Sequence, residues 1–95
     1  MQPGEDLVFF GLLDLMRAQI ALMTGNDARA DSLCQASYRL SGSTGGYWVL
    51  TAYLARRRGD HAGAALAVRE CLALDPRDPD GLRLARELGI TPQDP

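Results

Sequence analysis

Apolar residues recur along most of the chain at intervals of three and four, the spacing that places side chains on one face of an α-helix. Polar or glycine-rich segments interrupt this pattern. The segment 41–46, which reads Ser-Gly-Ser-Thr-Gly-Gly, is predicted to be a flexible loop at which the chain could hinge. The pattern as a whole predicts five helices, which cover residues 5–23, 27–40, 47–58, 61–74 and 79–88.

The predicted helix ends carry residues that start or stop helices. Asn26 or Asp27 can cap the second helix and Asp60 the fourth, because their side-chain oxygens accept hydrogen bonds from free backbone amides. Pro79 follows Asp78 at the first position of the fifth helix, where the missing N–H of proline is tolerated. Glycines close the first, third and fifth helices.

The chain contains an internal repeat, because a shift of 34 residues superposes small residues and turn residues on one another. The superposed pairs are Ala18/Ala52, Ala21/Ala55, Gly25/Gly59, Asn26/Asp60, Ala28/Ala62, Ala30/Ala64 and Leu40/Leu74. A tightly packed helix pair with a short turn requires such residues at fixed places. The repeat therefore predicts two helix pairs followed by half of a third.

The second copy of this repeat resembles a tetratricopeptide repeat, since it has an early aromatic residue, small residues, a turn glycine and a closing proline at the family's positions. The matching residues are Trp48, Ala52, Gly59, Ala64 and Pro76. The copy departs from the family pattern at Ala55, Val68 and Cys71. The first copy keeps Ala18, Gly25 and Ala30 but has Asp14 and Gly42 at the tryptophan and proline positions.

This resemblance implies an all-α fold of the helical-repeat (α-solenoid) type, with about five antiparallel helices in two and a half repeats. We expect residues 1–95 to form a single domain. The first repeat would cover about 7–41 and the second about 45–78. A half repeat at about 79–88 would cap the C-terminal end.

Composition limits the classes of function. The 95 residues are 46% hydrophobic and 23% charged, which is typical of a folded globular domain, and a net charge of -2 gives no general attraction for nucleic acid. The N-terminal segment lacks the positive charge of a signal peptide, and Asp14 and Arg17 interrupt its apolar stretch. We therefore expect a cytoplasmic protein without membrane insertion. Its ten basic residues are all arginine, as is common in GC-rich bacterial genomes.

The sequence offers little catalytic or metal-binding chemistry. His61 is the only histidine and follows a turn, and Cys34 and Cys71 fall on apolar helix faces, where free cysteines usually pack as small hydrophobic residues. The glycines between residues 42 and 46 are not followed by the lysine of a phosphate-binding loop. We expect no enzyme activity, no cofactor and no bound metal.

The resemblance implies instead a binding groove on the concave surface, lined mainly by the first helix of each pair. The positions that map to this surface are Leu12, Leu15, Gln19, Leu22, Met23, Val49, Tyr53, Arg56, Arg57 and Arg83, with Glu87 beside them. Tyr53 is the strongest single candidate, because an aromatic side chain gives a large contact area at low entropic cost. The run Arg56-Arg57-Arg58 could pair with carboxylates of a partner or complement the dipole of its own helix. The chain has no lysine, which argues against the clamp by which some family members hold acidic chaperone tails.

The first helix is apolar on more than one face, so part of it is predicted to contact a partner or a second copy through Leu7, Phe9 and Phe10. The chain is similar in size and composition to the small tetratricopeptide chaperones of bacterial type III secretion. Our leading hypothesis is a chaperone-like module that binds an amphipathic helical or extended segment of another protein. The alternatives are a scaffold that homo-oligomerises through the first helix and, after it, a module that regulates an enzyme.

Overall fold

The computed structural model of the protein describes residues 3–42 and 44–90, with side chains from Phe10 onward. All regular structure in these ranges is helical, which confirms the all-α prediction and the five helices. The helices are α1 (Pro3–Met23), α2 (Asp27–Ser41), α3 (Gly45–Arg57), α4 (His61–Leu74) and α5 (Pro79–Leu88). They form a flat, compact body of 42 × 33 × 17 Å.

The predicted loop at 41–46 is wrong in extent. Helix α2 continues through Ser41 and α3 begins at Gly45, so only residues 42–44 lie between them. The side-chain oxygen of Thr44 accepts a hydrogen bond of 3.2 Å from the amide of Tyr47. This N-cap satisfies a free amide of the first turn and allows glycines to start a helix that their own propensity disfavours.

The turns within the two helix pairs have the same geometry, 34 residues apart. Gly25 and Gly59 both adopt left-handed backbone conformations, with φ of 83° and 76°. At each turn, the amide one residue after the glycine donates to the carbonyl four residues before it, at 2.8 and 2.9 Å. Each turn also places the next helix back against the previous one, because this hydrogen bond closes the helix tightly.

The N-caps follow the same period. Asn26 and Asp60 each accept a hydrogen bond from the amide three residues later, at 3.2 and 2.9 Å. Thr44 caps α3 and Asp78 caps α5, and these residues are also 34 positions apart. The repeat seen in the sequence is therefore a repeat of backbone hydrogen bonds as well as of side chains.

Two apolar clusters hold the helices together, and α3 contributes to both. The first cluster joins α1, α2 and α3, and the second joins α3, α4 and α5. Alanines at equivalent positions, Ala18 in α1 and Ala52 in α3, are fully buried and allow close packing of each helix pair. Because each turn reverses the chain, α1, α3 and α5 run in the same direction, and α3 contacts both α1 and α5.

Candidate functional site

An open groove of about 830 Å³ lies over α3. Side chains of α1 form one wall, α3 forms the floor, and the beginning of α5 forms the other wall. Nine of the ten predicted groove residues line it, and these are Leu12, Leu15, Gln19, Leu22, Met23, Val49, Tyr53, Arg56 and Arg57. The tenth, Arg83, is outside the lining but donates a hydrogen bond to the Tyr53 hydroxyl.

Three of the predicted apolar residues belong to the core as much as to the groove. Leu15, Leu22 and Val49 are buried, because their side chains pack into the two apolar clusters beneath the groove floor. They shape the groove but offer a partner little surface. The accessible apolar surface comes instead from Leu12, Met16 and Met23, which are 50%, 61% and 78% exposed.

These three residues belong to a larger apolar surface on α1. Ile20, also exposed, lies one turn after Met16 and completes a row that we call the α1 stripe: Leu12, Met16, Ile20 and Met23. Phe10 is exposed too. The side chains of Leu7 and Phe9, the other residues of the predicted partner surface, lie outside the described part of the protein.

Tyr53 joins the floor of the groove to the wall formed by α5. The Arg83 guanidinium donates to its hydroxyl, and the Arg56 guanidinium lies 5.2 Å from the centre of its ring. The hydrogen bond to Tyr53 raises the pKa of Arg83. Arg56 also pairs with Glu87, and Arg83 with Asp80 at 3.1 Å. The α5 wall is therefore charged, whereas the α1 wall is apolar.

The basic run at the end of α3 is partly committed to internal contacts. Arg57 donates to the backbone carbonyl of Leu22 at 2.8 Å, and it pairs with Asp27 at 3.1 Å. It thereby ties α3 to the turn between α1 and α2 and supplies positive charge at the C-terminal end of α1. Of the three arginines, Arg58 has no ion pair with any described residue.

Sequence reasoning missed five residues of the lining. They are Met16, Gly46, Leu50, Asp78 and Asp80. Met16 lies one helical turn after Leu12, so helical periodicity alone could have found it. Asp78 and Asp80 were identified only as residues at the start of a helix, and nothing local indicates that this start borders a groove built from residues about 30 to 60 positions earlier.

The described residues offer no alternative chemical site. Cys34 and Cys71 are free and buried, as predicted, and burial raises the pKa of each thiol to about 11, with nearby aspartates adding to the shift. Both thiols are therefore protonated at neutral pH and act as packing groups. Among these residues no cluster of His, Cys, Asp or Glu could hold a metal ion.

The helices of the described region are also too short or too polar to cross a membrane. Comparisons of the chain with protein-family models, with curated proteins and with solved structures find no match.

Proposed function

We propose that this protein is a protein–protein interaction module of the tetratricopeptide-repeat type, which binds a helical segment of a partner in the groove over α3. The observation that carries the proposal is the exposure of Leu12, Met16 and Met23 beside an open groove. Exposed apolar surface of this kind is costly in water and commonly marks a binding site.

The two unlike walls favour an amphipathic partner. A helix in the groove would place apolar residues against α1 and polar residues against the charged wall of α5. Helix α3 has 13 residues and is therefore about 20 Å long, so the groove can accommodate three to four turns of a partner helix. The flexible methionines suit such a surface, because unbranched side chains adapt to different shapes.

The 34-residue recurrence of turns, caps and buried alanines supports the assignment to tetratricopeptide repeats, as does the sequence resemblance. The groove's position along the first helix of each pair agrees with the surface these repeats use. Within this class, we propose a small cytoplasmic chaperone similar to those of type III secretion, which would keep an apolar segment of its partner covered.

The proposal is tested by selecting displayed helical peptides on the wild-type protein and measuring their affinity for two variants. Leu12→Lys places a charge on the groove wall. Leu66→Lys is the matched control, since Leu66 is 57% exposed on α4 and does not line the groove. We expect the selected peptides to lose at least tenfold in affinity for Leu12→Lys and to bind Leu66→Lys normally. Equal binding to both variants would refute the groove as the binding site.

Self-association is the alternative, and one observation favours it: Ile20 in the α1 stripe is exposed but does not line the groove. A second copy packed against α1 would cover it. Light scattering over a range of protein concentrations separates the two functions. A monomer agrees with the interaction module, whereas a dimer that Ile20→Lys dissociates would favour a homo-oligomeric scaffold.

A further inference from the structure

The charged residues of the groove are separated by sign between its two ends. Asp78 and Asp80 line the end near the start of α3, where a Cβ atom on Gly45 would lie 3.5 Å from the Asp78 carboxylate. Arg56 and Arg57 line the other end, in the last turn of α3. The two ends are separated by nearly the full length of α3.

Internal ion pairs reduce this charge separation without removing it. At the basic end, the three arginines 56–58 face two carboxylates, those of Glu87 and Asp27. At the acidic end, Asp78 and Asp80 face one guanidinium, that of Arg83. Each end therefore keeps a net charge of its own sign, counted over the described residues.

A bound helix carries a dipole with the same separation of charge. Its N-terminus has a partial positive charge and its C-terminus a partial negative charge. A helix whose N-terminus lies at Asp78 and Asp80 matches the groove at both ends, whereas the opposite orientation places like charges together.

We infer that the groove selects an amphipathic helix of about 13 residues that runs parallel to α3, with basic residues in its first turn and acidic residues in its last turn. This inference rests on the proposed function, because it specifies the chemistry and the direction of a helix in the same groove. The apolar face of this helix contacts the α1 stripe, and its charged ends contact the two ends of the groove.

Three synthetic peptides of 13 residues test the inference, each with blocked termini and a fluorescent label. The first has an apolar stripe, lysines in its first turn and glutamates in its last. The second has the same composition with the charged residues exchanged. The third is the first with a central proline, which breaks the helix. Fluorescence anisotropy at low salt gives their affinities.

We expect the peptide with lysines first to bind about fivefold more tightly than the exchanged peptide, from favourable charge interactions at both ends. The intrinsic helicity of the two peptides works against this result, because glutamates at the start and lysines at the end stabilise an isolated helix. A preference for lysines first therefore reports the groove. High salt should reduce the preference.

A double variant and its matched control identify the charges responsible. Asp80→Asn with Arg56→Gln should bring the two affinities within about 1.5-fold of each other, because each end of the groove loses a charge. The control, Asp75→Asn with Arg69→Gln, removes the same charges from exposed residues outside the groove and should leave the preference intact. Circular dichroism establishes that both variants are folded.

The remaining outcomes separate this inference from the proposed function. Equal affinities or a preference for glutamates first would overturn the orientation and leave the binding module in place. Tight binding of the proline peptide would overturn the helical occupant in favour of an extended segment. Failure of every peptide to bind, with the protein dimeric by light scattering, would overturn both proposals in favour of a second copy as the occupant. Failure of every peptide with a monomeric protein would also overturn both.

Discussion

The first and last helices, α1 and α5, solve the same problem in opposite ways. Each packs one face against the rest of the protein, and each leaves another face uncovered by the described chain. The uncovered face of α5 carries Asp80, Arg83, Arg86 and Glu87, whereas the uncovered face of α1 carries the α1 stripe. A stack of helix pairs needs a polar outer surface at its ends. Helix α5 meets this requirement and α1 does not.

The difference shows where stability ends and binding begins. The buried face of α5 includes Leu84, which is fully enclosed, so this short helix is held by its core contacts. The α1 stripe contributes little to folding, because its side chains remain in water. Its apolar character therefore calls for an explanation outside the folded chain, and partner binding provides one.

The largest expected effect separates a buried leucine of α5 from an exposed one of α1. Leu84→Ala should lower the free energy of unfolding by about 3 kcal/mol, because it leaves a cavity in a packed core. Leu12→Ala should lower it by less than about 0.5 kcal/mol. Urea denaturation followed by circular dichroism measures both. Similar losses for the two variants would show that the α1 stripe is part of the core.

The next effect compares the two halves through their thiols. Cys34 packs beside α1 and Cys71 beside α5, and both have folded-state pKa values of about 11, compared with 9 for a free thiol. Below pH 9 both thiols are protonated in the folded and unfolded states. As the pH rises from 9 to 11, the unfolded state releases protons that the folded state retains, so the free energy of unfolding falls, by about 2 to 3 kcal/mol per thiol.

Urea denaturation at several pH values between about 8 and 11 measures this slope. Cys34→Ala and Cys71→Ala should each make the decrease shallower, while the contribution of the tyrosines, which titrate in the same range, stays the same in all three proteins. A variant that keeps the wild-type slope would show that its thiol ionises as readily in the folded protein as in the unfolded chain.

A smaller effect compares the contacts that join α3 to each end. Arg57→Gln should cost about 1 kcal/mol, because the Leu22 carbonyl and Asp27 lose a charged partner at the turn between α1 and α2. Arg56→Gln should cost less than about 0.5 kcal/mol, since it removes an exposed pair with Glu87 on α5. Denaturation at low and high salt checks the order, and the Arg56 effect should disappear at high salt.

The smallest effect on stability should accompany a large effect on surface properties. Met16→Lys combined with Ile20→Lys should change the free energy of unfolding by less than about 0.5 kcal/mol, because both side chains are exposed. The same variant should bind much less of the hydrophobic dye bis-ANS. Arg86→Ala on the outer face of α5 is the control and should leave dye binding unchanged. Unaltered dye binding by the α1 variant would place the apolar surface elsewhere.

The helix boundaries were predictable from the sequence because they depend on local chemistry. Asn26, Asp60 and Asp78 cap the helices they precede, as expected from their side-chain oxygens. The segment 41–46 was misjudged because its glycines and serines are typical of loops. The decisive interaction there is a single hydrogen bond that accepts at Thr44, and composition does not reveal it.

The groove was predictable in membership and unpredictable in depth. Helical register and the repeat place Leu12 and Leu15 on the same side of α1. Register does not show that Leu15 turns into the core while Leu12 remains in water, since this depends on how closely α3 approaches. The acidic end of the groove depends on contacts between α3 and the start of α5, which no local pattern encodes. The binding role of the groove stays a prediction.

The equivalent caps at Thr44 and Asp78 make the segment between them an interchangeable module. Both residues introduce a helix that lies beside the preceding odd-numbered helix, so residues 45–78 begin and end at matching junctions. Duplicating this segment in tandem would join the new helix pair through a junction that the fold already uses. Gene duplication, or a protein engineer, could thereby lengthen the concave surface by one unit without inventing a new connection.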